Sequence, residues 1–324
     1  MRIPAEWARH RAVWTAWPSH PDLWLEDLVP ARREVAAMAK ALAAGEAVKM
    51  LAMGDEAVAS AQTELAGENI EIIPALFGDI WLRDTAPIFT HSSEGLNALA
   101  FRFNGWGGKY VLPHDDAVAA FVAKTANAHL VGHDVILEGG SVDFDGAGSV
   151  LTTKECLLNA NRNQGLSQQD IEQFLRQAFD VTHIVWLDRG LAGDHTDGHV
   201  DNIARFVAKG RVVCPSPSGK DDPNADTYGI ISSDLRRSGL EVIQVPSPGL
   251  ITDEDGNAVA ASHMNFIIGN AVVVVPAYED VYSKEAVRIL TPLFPDRKVI
   301  ALPARHILTG GGSFHCITQQ EPAA

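Results

Sequence analysis

Residues 166–187 read LSQQDIEQFLRQAFDVTHIVWL, a helix pattern and a strand pattern back to back. Ser167 followed by Asp170 forms a variant of the capping box, and Leu166 with Ile171 supplies the hydrophobic staple across that cap. Ile171, Phe174, Leu175 and Ala178 recur at i, i+3, i+4 and i+7, which predicts one apolar face of a helix to about Phe179. Residues 181–187 then read as a short β-branched strand. The same order occurs upstream, where Val35, Met38 and Leu42 precede the strand-like residues 48–53. Further strands are expected at 240–245, at 271–275, ended by Pro276, and at 299–302. The Asp145-Gly146 turn predicts a hairpin of residues 138–144 with 149–153. Helices and strands alternate, so the fold class is α/β, and the hairpins argue against a purely parallel doubly wound sheet.

A chain of 324 residues is long enough for one large core or two ordinary ones. The turn-rich stretches 215–224 and 246–257 are short and flanked by strand-like runs, so they read as surface loops and residues 1–324 as a single domain. Apolar residues make up 46% and charged residues 21%, the balance of a globular protein. The net charge of −15 disfavours a nucleic-acid or anionic-membrane partner, and slightly favours a cationic small molecule. Cys156, Cys214 and Cys316 are odd in number and lack a C-x-x-C pair, which speaks against a disulfide scaffold or zinc ribbon and for a reducing cytoplasm. No apolar run approaches the ~20 residues of a membrane span, and no apolar leader opens the chain. Neither G-x-G-x-x-G nor a phosphate loop is present, so a nucleotide cofactor has no support.

Five segments combine ionisable groups with glycine or aromatic residues: 79–87, 103–108, 137–140, 194–202 and 310–316. In the last, three glycines precede Cys316, a backbone shaped to present one thiol. His199 and Asp201 stand two apart, which on an extended strand places an acid/base group beside a carboxylate. Asp194, His195, Asp197, His199 and Asp201 could also ligate a metal, but the spacing matches neither H-E-x-x-H nor the calcium loop, and the metal reading ranks below the acid/base one. Paired carboxylates suit a planar guanidinium, and a thiol suits attack on its central carbon. A bound cation would also favour the thiolate over a thiol of pKa ~8.5. Cys156 and Cys214 read as core; Asp194 and Asp197 read as loop carboxylates; Trp7, Trp14 and Trp17 read mainly as packing. Asp79 either binds a substrate amine or holds its own loop, and His195, His263, His306 and His315 stay open between structural and catalytic roles.

Asp79-x-Trp81-x-Arg83-Asp84-x-x-Pro87, Phe103-Asn104-x-Trp106-Gly107-Gly108, Glu138-Gly139-Gly140, Thr196-Asp197-Gly198-His199-Val200-Asp201-Asn202 and Gly310-Gly311-Gly312-x-x-His315-Cys316 resemble the agmatine deiminase family, guanidine-modifying enzymes akin to the bacterial-type peptidyl-arginine deiminases. The resemblance runs in family order from Pro4 to Gln320. It implies the pentein α/β propeller, five ββαβ units around a central channel, a repeat that periodicity does not reveal. It implies Cys316 as nucleophile, His199 as general acid and then base, and Glu138 as the carboxylate that orients the histidine and contacts the guanidinium. Asp84 and Asp201 would clamp the guanidinium and Trp81 would line the pocket, with no metal and no cofactor. The implied reaction converts agmatine and water to N-carbamoylputrescine and ammonia, within the polyamine chemistry of putrescine; free or peptide-linked arginine as substrate, and amidino transfer, are the alternatives. Self-association into a homo-oligomer is a further implication. Ala86, Ser313 and His263 stand where the family usually has glycine, asparagine and tyrosine.

Overall fold

In the computed structural model, which describes residues 3–93, 95–279 and 281–324, the helix of the opening stretch runs Gln168–Phe179 with Ser167 as its N-cap. Ser167 Oγ accepts the Asp170 N–H at 3.2 Å, and the Asp170 carboxylate accepts the Ser167 N–H at 2.8 Å. Two orphan donors are thereby satisfied. Ile171 of the expected staple is buried, whereas Leu166 stays 43% exposed. Asp180 turns left-handed at φ 55°, ends the helix, and leads into the strand His183–Leu187.

That strand lies parallel to Ser149–Thr153, which pairs antiparallel with Val142–Phe144, so hairpin, helix and strand form one ββαβ unit. The unit recurs. Ile88–Ser92 pairs antiparallel with Gly95–Arg102, and the helix Asp115–Thr125 crosses to the parallel strand His129–Ile136. Arg205–Ala208, Arg211–Ser216, the helix Ala225–Arg237 and Glu241–Pro246 repeat the pattern. So do Ile267–Ile268, Val272–Ala277, the helix Ser283–Leu290 and Lys298–Pro303. The last unit draws on both ends of the chain: Thr318–Pro322 pairs antiparallel with His10–Ala16, and the helix Leu28–Ala43 crosses to Ala47–Ala52. Ile70–Pro74 adds a fourth strand to that sheet. Five small sheets thus give an α/β propeller-like arrangement of five units.

The helix Leu28–Ala43 buries Val35, Met38 and Leu42 in one core with Val48 and Met50 of its own sheet, and Ser283–Leu290 packs Ala286 and Leu290 in a core that also holds Val213 and Val245 of the preceding unit. Trp14 and Trp17 are buried packing residues, as the sequence implies. No helix among the described residues is long and apolar enough to cross a membrane.

Three local expectations fail for physical reasons. Pro276 stays inside Val272–Ala277, opposite Leu302, because the short partner Ile267–Ile268 ends earlier and the missing N–H costs no ladder bond on that side. Residues 139–141 form a 3₁₀ turn ahead of the hairpin rather than its first strand. Val200–Asn202 is likewise a 3₁₀ turn, so His199 and Asp201 do not share a strand face. These turns occupy one recurring position. Leu82–Thr85, Gly139–Ser141, Val200–Asn202, the turn at 263–264 and the turn at 314–317 each immediately precede the first strand of a unit.

Candidate active site

Those five turns deliver one candidate side chain each, or a pair, to the centre of the ring: Asp84, Glu138, His199 with Asp201, Asn265, and Cys316. All of them are buried. The Cys316 thiol is held by Asn265, whose Nδ2 donates to Sγ at 3.0 Å while its Oδ1 accepts the N–H of His315 at 3.0 Å and of Cys316 at 3.1 Å. Asp201 Oδ2 lies 3.6 Å from Sγ, and Asp201 Oδ1 has no hydrogen-bond partner. A β-carbon on Gly312 would stand 2.6 Å from the Trp81 ring and 3.2 Å from Sγ, so only glycine lets the indole and thiol approach. Trp81 stacks on Trp24 at 6.3 Å, and Asp79 ties both indoles down through bonds of 2.8 and 3.0 Å. Asp79 therefore does hold its own loop, while also lining the cavity.

Asp84 is aimed by two donors. Gly140 N–H reaches Oδ1 and Trp106 Nε1 reaches Oδ2, both at 2.9 Å. The indole arrives there because residues 105–108 all have positive φ, including 51° at Trp106, a strained conformation for a bulky side chain. Asn104 caps this loop by accepting the Gly107 N–H at 2.9 Å. A side chain at Gly107 would collide with Asn161 and Arg162.

His199 Nδ1 lies 3.8 Å from Asp84 Oδ2, beyond hydrogen-bond range, and neither ring nitrogen has a hydrogen-bond partner. Glu138 stands close to the imidazole but gives its oxygens elsewhere: Arg162 Nε donates to Oε1 at 2.6 Å, and Cys156 Sγ is 3.9 Å from Oε2. Arg162 also reaches Asn161 at 2.8 Å, Asp197 at 2.9 Å and the Thr196 carbonyl at 3.0 Å. Cys156 is buried as predicted, yet it packs on a site carboxylate rather than in plain core.

Burial dominates the electrostatics, and the surplus of carboxylates sets the signs. Burial pushes the Cys316 thiol well above its usual range, and Asp201 and Asp84 add to this, against weaker bonds from Ser313 and Asn265. Burial also raises the Asp84 carboxyl despite His199, and the Glu138 carboxyl despite Arg162. For Asp201 burial is overcome, chiefly by His315, and its carboxyl is held below the ordinary range. Burial opposes a charged His199, but Asp84, Glu138, Asp201 and Asp194 prevail and raise it. The site is an acidic enclosure that a cation would complete.

A cavity of about 220 Å³ leads to it. Trp81, Asp84 and Cys316 form its floor, Trp106 and Gly310–Gly312 its walls, and the half-exposed Leu23 and Tyr110 its mouth beside His195. Glu138, His199 and Asp201 sit behind this lining. Trp7, Trp14 and Trp17 do not reach it, and neither do Ala86, Ser313 or His263. Asp194 accepts from Thr196, and Asp197 from Lys109, Asn161 and Arg162, so these loop carboxylates are committed and do not converge on one point. Among the described residues Glu138, Cys156 and His199 bring three ligand atoms within 4.8 Å of one another, but Arg162 already engages the carboxylate.

Sequence reasoning gave no role to Arg162, Asn265, Glu6 or Arg205 and left His315 open; the structure sets Glu6, Arg205 and His315 in a buried row behind the thiol. An arginine set between Asn161 and Asn163, in a chain short of basic residues, was the available signal for Arg162.

The model of the Porphyromonas-type peptidyl-arginine deiminase family matches residues 2–322. The agmatine deiminase of Stutzerimonas stutzeri (strain A1501) is 38% identical, across 99% of this chain and 95% of its own. Among solved structures, the agmatine deiminase of Enterococcus faecalis superposes with a TM-score of 0.91 at 30% identity, covering 99% of this chain and 95% of that one. The substrate-bound agmatine deiminase of C. jejuni gives 0.93 at 29% identity, covering 100% and 96%. The chain belongs to the Porphyromonas-type peptidyl-arginine deiminase family, alongside the agmatine deiminases.

Proposed function

We propose that this protein hydrolyses agmatine to N-carbamoylputrescine and ammonia through a covalent intermediate on Cys316. The observation that carries the reading is the thiol itself: buried, 3.6 Å from the Asp201 carboxylate, and facing a cavity floored by Asp84. Asp84, which burial makes costly to ionise, is stabilised by a guanidinium, which stays charged at any physiological pH. The same bound charge offsets the repulsion that keeps the thiol protonated, and the thiol loses its proton to water.

The thiolate then adds to the guanidinium carbon. Protonated His199 gives its proton to the departing nitrogen, which leaves as ammonia, and a thiouronium remains on sulfur. Neutral His199 next takes a proton from water, the hydroxide attacks the same carbon, and the carbon–sulfur bond breaks to return the thiolate. The residual proton leaves with ammonia as ammonium, and the product is the uncharged ureido compound. Asp84 and Asp201 clamp the guanidinium, Trp81 lines its path, and Glu138, held by Arg162, supports the charged imidazole.

Among the described residues no arginine or lysine lines the cavity, so none of them there answers a substrate α-carboxylate, which favours the decarboxylated guanidine over arginine. The three unpaired cysteines suit a reducing compartment, the cytoplasm. Ammonia release should be assayed with agmatine, arginine and peptidyl-arginine, for the wild type and for Cys316→Ala. Turnover of agmatine that disappears in the variant is expected; turnover confined to the arginine substrates would sink the agmatine reading, and an active Cys316→Ala would sink the mechanism.

A further inference from the structure

Behind the thiol runs a row of buried charged groups that the reaction above leaves without a task. His315 is enclosed next to the nucleophile, with Nδ1 2.7 Å from Asp201 Oδ2 and Nε2 3.1 Å from Glu6 Oε2. Glu6 comes from the N-terminal segment and also accepts the Ile268 N–H at 2.8 Å and the Arg205 guanidinium. Arg205 is held in turn by Asp143 at 3.0 Å and by the Phe266 carbonyl at 2.7 Å. Burial opposes the charge on Glu6, but Arg205, His315 and Arg83 hold its carboxyl far below the usual range, so Glu6 is an anion.

A neutral imidazole has one N–H. A ring with both nitrogens on carboxylate oxygens needs either two N–H groups or an acid proton on Asp201. Asp201 Oδ2 is the oxygen taken by His315, and Oδ1 is the one left without a partner. We infer that His315 is a positioning residue for the deimination: strung between Glu6 and Asp201 with one ring nitrogen on each, it pins Asp201 by one oxygen and keeps that carboxylate charged for the guanidinium. This inference rests on the deiminase reading.

The surroundings agree. Asp201 faces His315, His199 and Arg205, while Asp84 on the neighbouring turn and the Cys316 thiol stand across from it. His315 faces Asp201 and Glu6, with Arg83, Arg205 and Asp143 completing the row. Deprived of His315, Asp201 would be a buried carboxylate beside Asp84 and would take up a proton in the pH range where the enzyme must bind a cation.

Two substitutions separate charge from geometry. His315→Asn places an amide where Nδ1 stands and keeps a neutral N–H toward Asp201; His315→Gln reaches toward the Nε2 side and leaves Asp201 alone. With His315→Gln, KM for agmatine should rise about ten- to a hundredfold, the loss of a charge-assisted hydrogen bond, while kcat changes far less. The acidic limb of kcat/KM should move to higher pH in both variants, and His315→Asn should recover most of KM. Glu6→Gln, with His315 retained, should move the limb in the same direction, and it decides the matter if neither His315 variant folds. An unmoved acidic limb with KM unchanged in all three, or kcat and KM lost together with the limb in place, overturns the inference while leaving the deiminase reading intact. A wild type inert on every guanidine would sink both.

Discussion

Replacing Arg162 with methionine should destabilise the fold and expose how Glu138 is kept ionised. Arg162 Nε lies 2.6 Å from Glu138 Oε1, and both side chains are fully enclosed. Deleting one partner of a buried pair leaves the other charge unpaired, at a cost of about 3–5 kcal/mol. With about 2.1 cal/mol/K of unfolding entropy per residue, a chain of 324 residues has roughly 0.7 kcal/mol/K, so Tm should fall by about 4–7 °C. Burial already raises the Glu138 carboxyl with Arg162 in place, and without it the shift grows. An acid whose folded-state pKa is raised binds its proton more tightly when folded, so its contribution to stability is lost as pH rises through the folded value. The Arg162→Met protein should therefore recover stability on acidification from about pH 8 to 5 more than the wild type does. Adding Glu138→Gln removes the orphaned charge and should restore about half of the lost Tm. Calorimetric melting of the four proteins of this cycle is the assay. The reasoning fails if Arg162→Met melts within about 1 °C of the wild type, or if the double variant is no more stable than Arg162→Met.

Two further outcomes follow from buried titratable groups. Asp115 accepts the Gly78 N–H at 2.8 Å through one oxygen, leaves the other without a partner, and is pushed up to about 6 by burial. Its contribution is present at low pH and lost as pH rises from the ordinary carboxylate range through about 6, so Asp115→Asn should remove about 1.4 kcal/mol of pH dependence in urea unfolding between pH 5 and 8; an unchanged slope would contradict this. For Cys316, burial together with Asp201 and Asp84 raises the thiol, so alkylation by iodoacetamide, followed by mass spectrometry, should still be accelerating at about pH 9. A plateau by about pH 8 would show a preformed thiolate instead.

What could be read from the sequence was what short-range physics encodes. The Ser167 cap, the apolar stripe that follows and the strand after Asp180 depend on neighbours within a few residues, and they form nearly where predicted. The fivefold repetition was not legible, because the equivalent first strands range from Ile267–Ile268 to Thr318–Pro322 in length and share no residue pattern. The Pro276, 138–141 and 199–201 misreadings share one cause: strand ends were inferred from composition, whereas the partner strand's length and the turn ahead of it decide them.

Cys316, Asp84 and Trp106 announce themselves through the glycines around them, since a backbone that must bring these groups close tolerates little else. Arg162, Asn265 and Glu6 act across the ring on residues 24, 51 and 309 positions away, and nothing local marks them. Glu138 was legible as a candidate site residue, but its grip by Arg162 was not, and it stands beside His199 without a hydrogen bond to either ring nitrogen.

The seam between Thr318–Pro322 and His10–Ala16 has a consequence for the order of events in synthesis. A ribosome emits the carboxylates, the histidines up to His306 and the asparagine first, and Cys316 only two residues ahead of the strand that joins the two ends. Docking of that strand on His10–Ala16 and the seating of the Cys316 thiol against Asp201 and Asn265 are therefore parts of one closing event of the ring.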